Sequence, residues 1–151
     1  MKKLLKFLPL FLVALMAVTF WSCSDDDDFK PVANTELPSA AKTFLNTYYQ
    51  GVNYQTKKDK DDNEYEVYLS NGHEVDFYSD GEWKDVKAGK KMNETVPVGF
   101  YPSEIDSYIS DTHPTDGIHE ISKERYGYDV ELTNGTDIEF SSDGSFIRYD
   151  K

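Results

Sequence analysis

Tyr65 to Val86, YEVYLSNGHEVDFYSDGEWKDV, recurs as Tyr128 to Tyr149, YDVELTNGTDIEFSSDGSFIRY, at an offset of 63 residues. Nine of the 22 aligned positions are identical: Tyr65/Tyr128, Val67/Val130, Leu69/Leu132, Asn71/Asn134, Gly72/Gly135, Phe77/Phe140, Ser79/Ser142, Asp80/Asp143 and Gly81/Gly144. Val75/Ile138, Asp76/Glu139 and Trp83/Phe146 keep their chemistry. Self-similarity at a fixed period means that one structural unit is used twice, so the stretch decides the fold.

The stretch reads as three strands. Tyr65, Val67 and Leu69 alternate with Glu66, Tyr68 and Ser70, the period of a half-buried strand. For Val75 and Phe77 to share the face of Val67 and Leu69, the intervening loop must hold an odd number of residues. Ser70-Asn71-Gly72, with Gly72 in the left-handed bulge position, meets that requirement. Ser79-Asp80-Gly81 makes a second three-residue loop and sets Phe77 opposite Trp83. The second copy turns in the same way at Asn134-Gly135 and Ser142-Asp143-Gly144, with Phe140 opposite Phe146. The apolar face therefore carries Tyr65, Val67, Leu69, Val75, Phe77 and Trp83, then Tyr128, Val130, Leu132, Ile138, Phe140 and Phe146. Glu66, Tyr68, Glu74, Asp76 and Tyr78, then Asp129, Glu131, Asp137 and Glu139, fall on the other face, which is acidic with some tyrosine.

Working outward, Leu37-Pro38-Ser39 opens a helix, since an early proline has no N–H to leave unpaired. Its apolar stripe is Leu37, Ala41, Phe44, Leu45 and Tyr48, and Gly51 stops it. Tyr101-Pro102-Ser103 opens a second helix with the stripe Tyr101, Ile105, Tyr108 and Ile109, ended at His113-Pro114. A short strand follows each helix, Val52 to Lys57 and Ile118 to Lys123. The expected architecture is α+β: tandem α-β4 repeats forming an antiparallel sheet with the helices packed on one face. Residues 37–87 form the first repeat, 88–100 a connector and 101–151 the second repeat.

The N-terminus reads as an address. Lys2, Lys3 and Lys6 lead into the apolar run LPLFLVALMAVTFW, so residues 1–22 have the pattern of a secretory signal peptide, too short in its apolar part to span a bilayer. Cys23 is the only cysteine, which excludes an intrachain disulfide. Phe20-Trp21-Ser22-Cys23 looks like a lipobox, in which cleavage leaves Cys23 as a lipid-modified first residue. Several acyl chains on it would anchor the protein stably to a membrane. Ser24, Asp25, Asp26, Asp27 and Asp28 form a solvated, self-repelling tether, and this run also resembles a surface-export signal of Gram-negative lipoproteins. Residues 23–36 are thus read as lipidated cysteine, tether and linker.

Without residues 1–22 the chain holds 13 bases against 28 acids, a net charge of −15. Nucleic-acid binding needs a basic face, so that class of partner is excluded. Asp59, Asp61 and Asn63 occupy the first positions of a calcium loop, but Glu64 and Ser70 stand where such a loop needs glycine and glutamate. The segment reads as a charged hairpin turn. His73, His113 and His119 lack metal-ligand spacing and are read as surface residues. No catalytic constellation, metal site or cofactor site is assembled.

A helix opened by proline and then YEVxLxNGxEVxF, DG and an aromatic residue, twice over, resembles the PepSY-like family of secreted bacterial lipoproteins. The resemblance covers residues 37–150 and implies a fold similar to the beta-lactamase inhibitory protein. It implies little about activity, since a fold hosts many functions. The expectation is a non-enzymatic, outer-membrane-anchored module, on the cell surface or the periplasmic face, that binds an unknown protein or peptide. Its contacts are expected at Tyr68 and Tyr78, which offer large area at low entropic cost, together with Glu66, Asp76, Glu131 and Glu139. The alternative is an accessory hydrolase or a glycan-handling surface lipoprotein.

Overall fold

The computed structural model describes residues 29–150. Cys23 and the Ser24 to Asp28 run, with the signal segment, lie outside the described residues. Strand β1 (Phe29–Val32) and a 3-10 turn (Asn34–Glu36) precede helix α1 (Ser39–Tyr48) and strands β2 (Tyr54–Asp59), β3 (Tyr65–Leu69), β4 (Glu74–Phe77) and β5 (Trp83–Lys87). Helix α2 (Ser103–Thr112) then leads into β6 (Ile118–Lys123), β7 (Gly127–Leu132), β8 (Asp137–Ser141) and β9 (Phe146–Tyr149). All nine strands form one antiparallel sheet in the order of the chain.

The hairpins follow the parity argument. Leu69 N–H donates to His73 O and Gly72 N–H to Leu69 O, both at 2.9 Å, closing a three-residue loop with Gly72 at φ +94°. Val67 then faces Val75, Tyr65 faces Phe77, and Phe77 faces Trp83 across a bulge. The second copy places Val130 opposite Ile138 and Phe140 opposite Phe146. Both helices lie against the apolar face: Ala41 and Leu45 of α1 and Ile105 and Ile109 of α2 are buried with Val67, Val75, Phe77, Ile121, Val130, Leu132, Ile138 and Phe140. Gly81, at φ +88°, brings the β4–β5 loop onto the start of α1, where a Cβ would lie 2.7 Å from Pro38 Cβ and 2.9 Å from Ala41 N. Gly144 does the same against Pro102 of α2.

Four expectations are corrected. Residues 29–36 are not a linker, because Phe29–Val32 pairs with β2 and Asn34 ties the following turn to it. Asn34 Nδ2 donates to Tyr54 O at 3.0 Å and Oδ1 accepts from Thr56 at 2.8 Å. Proline is tolerated in β1 because an edge strand need not donate outward. The strand after α1 starts two residues later than expected, at Tyr54, since Val52 N–H closes a turn onto Tyr49 O. His119 is a buried residue, 1% exposed, because a bulge between Ile118 and Glu120 turns it under the connector. Phe146 is 39% exposed although its counterpart Trp83 is 6% exposed. Trp83 is covered by the second half of the chain, whereas β9 has a single neighbour among the described residues.

Candidate functional site

The face of the sheet turned away from the helices is organised in lateral rows, because antiparallel partners point to the same side. One row runs Lys57, Glu66, Asp76, Asp85, Ser122, Asp129, Glu139, Arg148, each opposite the next across successive strands. A second runs Gln55, Tyr68, Glu74, Lys87, Glu120, Glu131, Asp137. The bulges in β5 and β9 keep these rows in line, and the one in β6 leaves Glu120 in place while removing His119 from the face.

Direct opposition of like charges is destabilising. The first row places Glu66 against Asp76, Asp76 against Asp85, and Asp129 against Glu139. Cations answer only part of this: Arg148 pairs with the buried Glu139, Lys87 with Glu120, and Lys84 with Glu64 at 2.6 Å. Asp76 Oδ1 is sealed from solvent with no hydrogen-bond partner among the described residues. Loss of solvent, then the charges of Glu74, Asp85 and Glu66, push the Asp76 carboxyl up to about 8. Burial and Glu120 push Asp85 up to about 7, against the hydrogen bond from Ser122 and the charge of Lys87. Burial also raises Glu74. The centre of the row therefore holds protons that isolated carboxyls would have lost.

Over the second row, against the connector, lies a cavity of about 930 Å³. The sheet contributes Gln55, Lys57, Tyr68, Glu74, Lys87 and Glu131, and the connector contributes Gly89, Lys90 and Met92. This volume lies within the range of ligand-binding clefts. The Tyr68 hydroxyl donates to Glu66 Oε2 at 2.7 Å, and Lys57 Nζ sits 4.7 Å from its ring centroid. That hydrogen bond adds to burial in holding the phenol well above its ordinary range. His119 lines the inner wall, with its Nδ1 3.1 Å from Glu94 O. His73, at the end of the β3–β4 loop, shares a hydrogen bond of 3.3 Å with the Tyr49 hydroxyl, and burial lowers its pKa.

The expected contact residues separate into three places. Tyr68 and Glu131 line the cavity, and Glu66 adjoins it through its bond to Tyr68. Asp76 lies at the centre of the acidic row. Glu139 lies near its far end, and Tyr78 stands beyond β4 with Lys84 Nζ 5.7 Å from its ring, outside the cavity. Sequence reasoning missed Lys57, Lys87, Lys90, Met92 and His119. Lys57 and Lys87 were within reach of the two-residue period, but the connector residues carry no pattern that announces a wall. A half-apolar pocket ringed by lysine, glutamate and tyrosine can hold an apolar side chain and orient its polar flanks. Among the described residues no three His, Cys, Asp or Glu side chains are grouped to hold a metal ion, and no helix is long and apolar enough to cross a membrane.

Three solved structures resemble the chain over nearly their whole length. A protein of Bacteroides thetaiotaomicron, described as a "putative calcium-regulated periplasmic protein", is 28% identical with a TM-score of 0.75, over 83% of this chain and 98% of that one. Two proteins of Bacteroides vulgatus are likewise described as periplasmic, one of them of unknown function. They are 29% and 26% identical, with TM-scores of 0.74 and 0.71, over 83% and 82% of this chain and 99% of each of theirs. None of the curated proteins matches. The profile of the beta-lactamase-inhibitor-like, PepSY-like family matches residues 21–72 and again 63–148. With two matches that together span residues 21–148, most of its length, this chain belongs to the PepSY-like family.

Proposed function

We propose that the protein is a non-enzymatic envelope module that binds a protein or peptide segment on its open sheet face, with Tyr68 as the anchor. It is read as two α-β4 units behind a lipid-anchored Cys23 at the outer membrane, with Ser24 to Asp28 as tether and export signal. The observation that carries the binding role is the cavity at Tyr68, which opens beside a row of opposed carboxylates. A bound segment places an apolar side chain against Tyr68 and Met92 and its cations along Glu66, Asp76 and Asp85. Such cations take the place of the protons that Asp76 and Asp85 hold in the free protein. Periplasmic relatives fit an envelope location. The calcium in the description of one relative is not carried over, since the acidic row is spread across strands and is not gathered around a point.

The test is selection from a displayed random peptide library on the immobilised chain, beside a glycan array, followed by affinity measurement with single variants. Selected peptides should combine an apolar residue with Lys or Arg. Tyr68→Ala should weaken them at least tenfold, and Tyr78→Ala, outside the cavity, less than twofold. Equal loss in both variants would overturn the site. A glycan bound in place of peptides would favour the glycan-handling alternative.

A further inference from the structure

Strand β9 is the counterpart of β5 at the offset of 63 residues, Phe146 for Trp83 and Tyr149 for Val86. The chain itself shows how such a strand is covered. On β5, Val86 faces Ile121 and Asp85 faces Ser122 of β6. The Trp83 ring meets Phe100 at 4.9 Å, stacks on Tyr128 at 6.1 Å and lies under Lys123 Nζ, 4.5 Å from its centroid.

On β9 nothing among the described residues takes those places. Phe146, Ile147 and Tyr149 are 39%, 43% and 45% exposed, half of the six large hydrophobic residues exposed in the described chain. The patch is nevertheless fixed from beneath by α2. Tyr108 stacks on Phe146 at 4.7 Å, and the Tyr149 hydroxyl lies 3.1 Å from that of Tyr108 and 3.2 Å from His113 Nε2. The opposite edge of the sheet, β1, is guarded by Lys30 and Pro31, the residue types that keep an edge from pairing further. The sequence of β9, Phe-Ile-Arg-Tyr, holds no proline.

From this we infer that β9 is a strand-addition site, which takes an extended segment of a partner protein as a tenth, antiparallel strand. The β5–β6 pair specifies its chemistry: an apolar residue opposite Tyr149, a polar residue opposite Arg148 and a Lys or Arg over Phe146, in the places of Ile121, Ser122 and Lys123. Main-chain bonds supply affinity in such pairings and alternate side chains supply specificity. A second copy of this chain is a poorer occupant, because its β6 is already paired on both sides and each copy carries a net charge of −15 without residues 1–22. The site is independent of the Tyr68 cavity.

The probe is a labelled peptide of Gly117 to Lys123 carrying Glu120→Lys, because that position falls opposite Asp150, the counterpart of Lys87. It is preceded by two lysines, blocked at both ends and titrated against the full chain by fluorescence anisotropy. Saturable binding is expected, with slowed amide exchange confined to β9. Phe146→Ala should weaken it at least fivefold, the Ile121→Pro peptide should bind at least tenfold more weakly, and Tyr68→Ala should have no effect. Absence of saturation at millimolar peptide, equal binding of the proline peptide, or protection away from β9 would overturn the assignment. So would a dimer in sedimentation equilibrium that Ile147→Lys dissolves, since a second copy would then hold the edge.

Discussion

Asp76 is the residue at which the open face is most strained, and its replacement by asparagine gives a signed prediction. In the folded chain its carboxyl is pushed up to about 8 from an ordinary 3.8. The unfolded chain releases this proton near pH 4 and the folded chain keeps it until near pH 8. Stability is therefore fully present below about pH 4 and is lost progressively as pH rises toward 8. At about 1.4 kcal/mol per unit, a lone group with this shift would cost about 6 kcal/mol at pH 8. Asp85, Glu66 and Glu74 share the same field and relax when one charge leaves, while an unsatisfied buried acceptor alone costs about 1–3 kcal/mol. Asp76→Asn is thus expected to stabilise the fold by about 2–4 kcal/mol at pH 8 and by less than about 1 kcal/mol at pH 4. For a domain of this size that is a rise of roughly 3–5 °C in Tm per kcal/mol. Urea titrations at pH 4, 6 and 8 and fixed ionic strength should show a higher midpoint with an unchanged slope. Asp137→Asn, on the exposed end of the other row, should change little. A gain that does not depend on pH, or a loss at pH 8, would refute the reasoning.

Gly81→Ala should destabilise by about 2–4 kcal/mol, since the new Cβ meets Pro38 and the backbone of Ala41 at a positive φ. Gly135→Ala, at φ +80° with nothing within 4 Å, should cost only about 1–2 kcal/mol in the same chemical melts. Trp83→Ala should cost about 3–5 kcal/mol and Phe146→Ala about 1–2 kcal/mol, because only the first ring is enclosed. Alanine at Asp25 to Asp28 should leave the protein lipidated but no longer protease-accessible on intact cells, and unchanged accessibility would refute the export reading.

The hairpins were legible because side-chain alternation leaves few choices: once Val67 and Val75 must share a face, loop length and glycine position follow. Helix α1 and helix α2 were legible for the same reason, each with a proline start and a single apolar stripe. Strand β1 was not, since Phe-Lys-Pro-Val is too short to show a period and its pairing depends on Asn34 reaching back to β2. Nor was the exposure of Phe146, because the pattern assigns a residue to a face without saying what lies over that face. The cavity was half legible. Tyr68 and the acidic residues follow from alternation, but the pairing of β5 with β6 spans a long connector whose course no local rule sets. That pairing aligns Asp85 with the row, brings Lys87 against Glu120 and sets the cavity wall.

The recurrence also says where to look for function. Every one of the nine identical pairs lies on the helix-facing side or in a hairpin loop, and none lies on the open face. What is kept is what packs or turns. On the open face Glu66/Asp129, Glu74/Asp137 and Asp76/Glu139 keep only their charge, whereas Tyr68 becomes Glu131, Asp85 becomes Arg148 and Lys87 becomes Asp150. Two of these three divergent pairs, at Tyr68 and Lys87, concern residues that line the cavity. The second half carries acids in their places and cannot build the same pocket. One chain therefore presents one such site, and a segment seated at Tyr68 should saturate at one per chain by titration calorimetry. Two equivalent sites per chain would mean that the shared acidic rows, and not the Tyr68 cavity, do the binding.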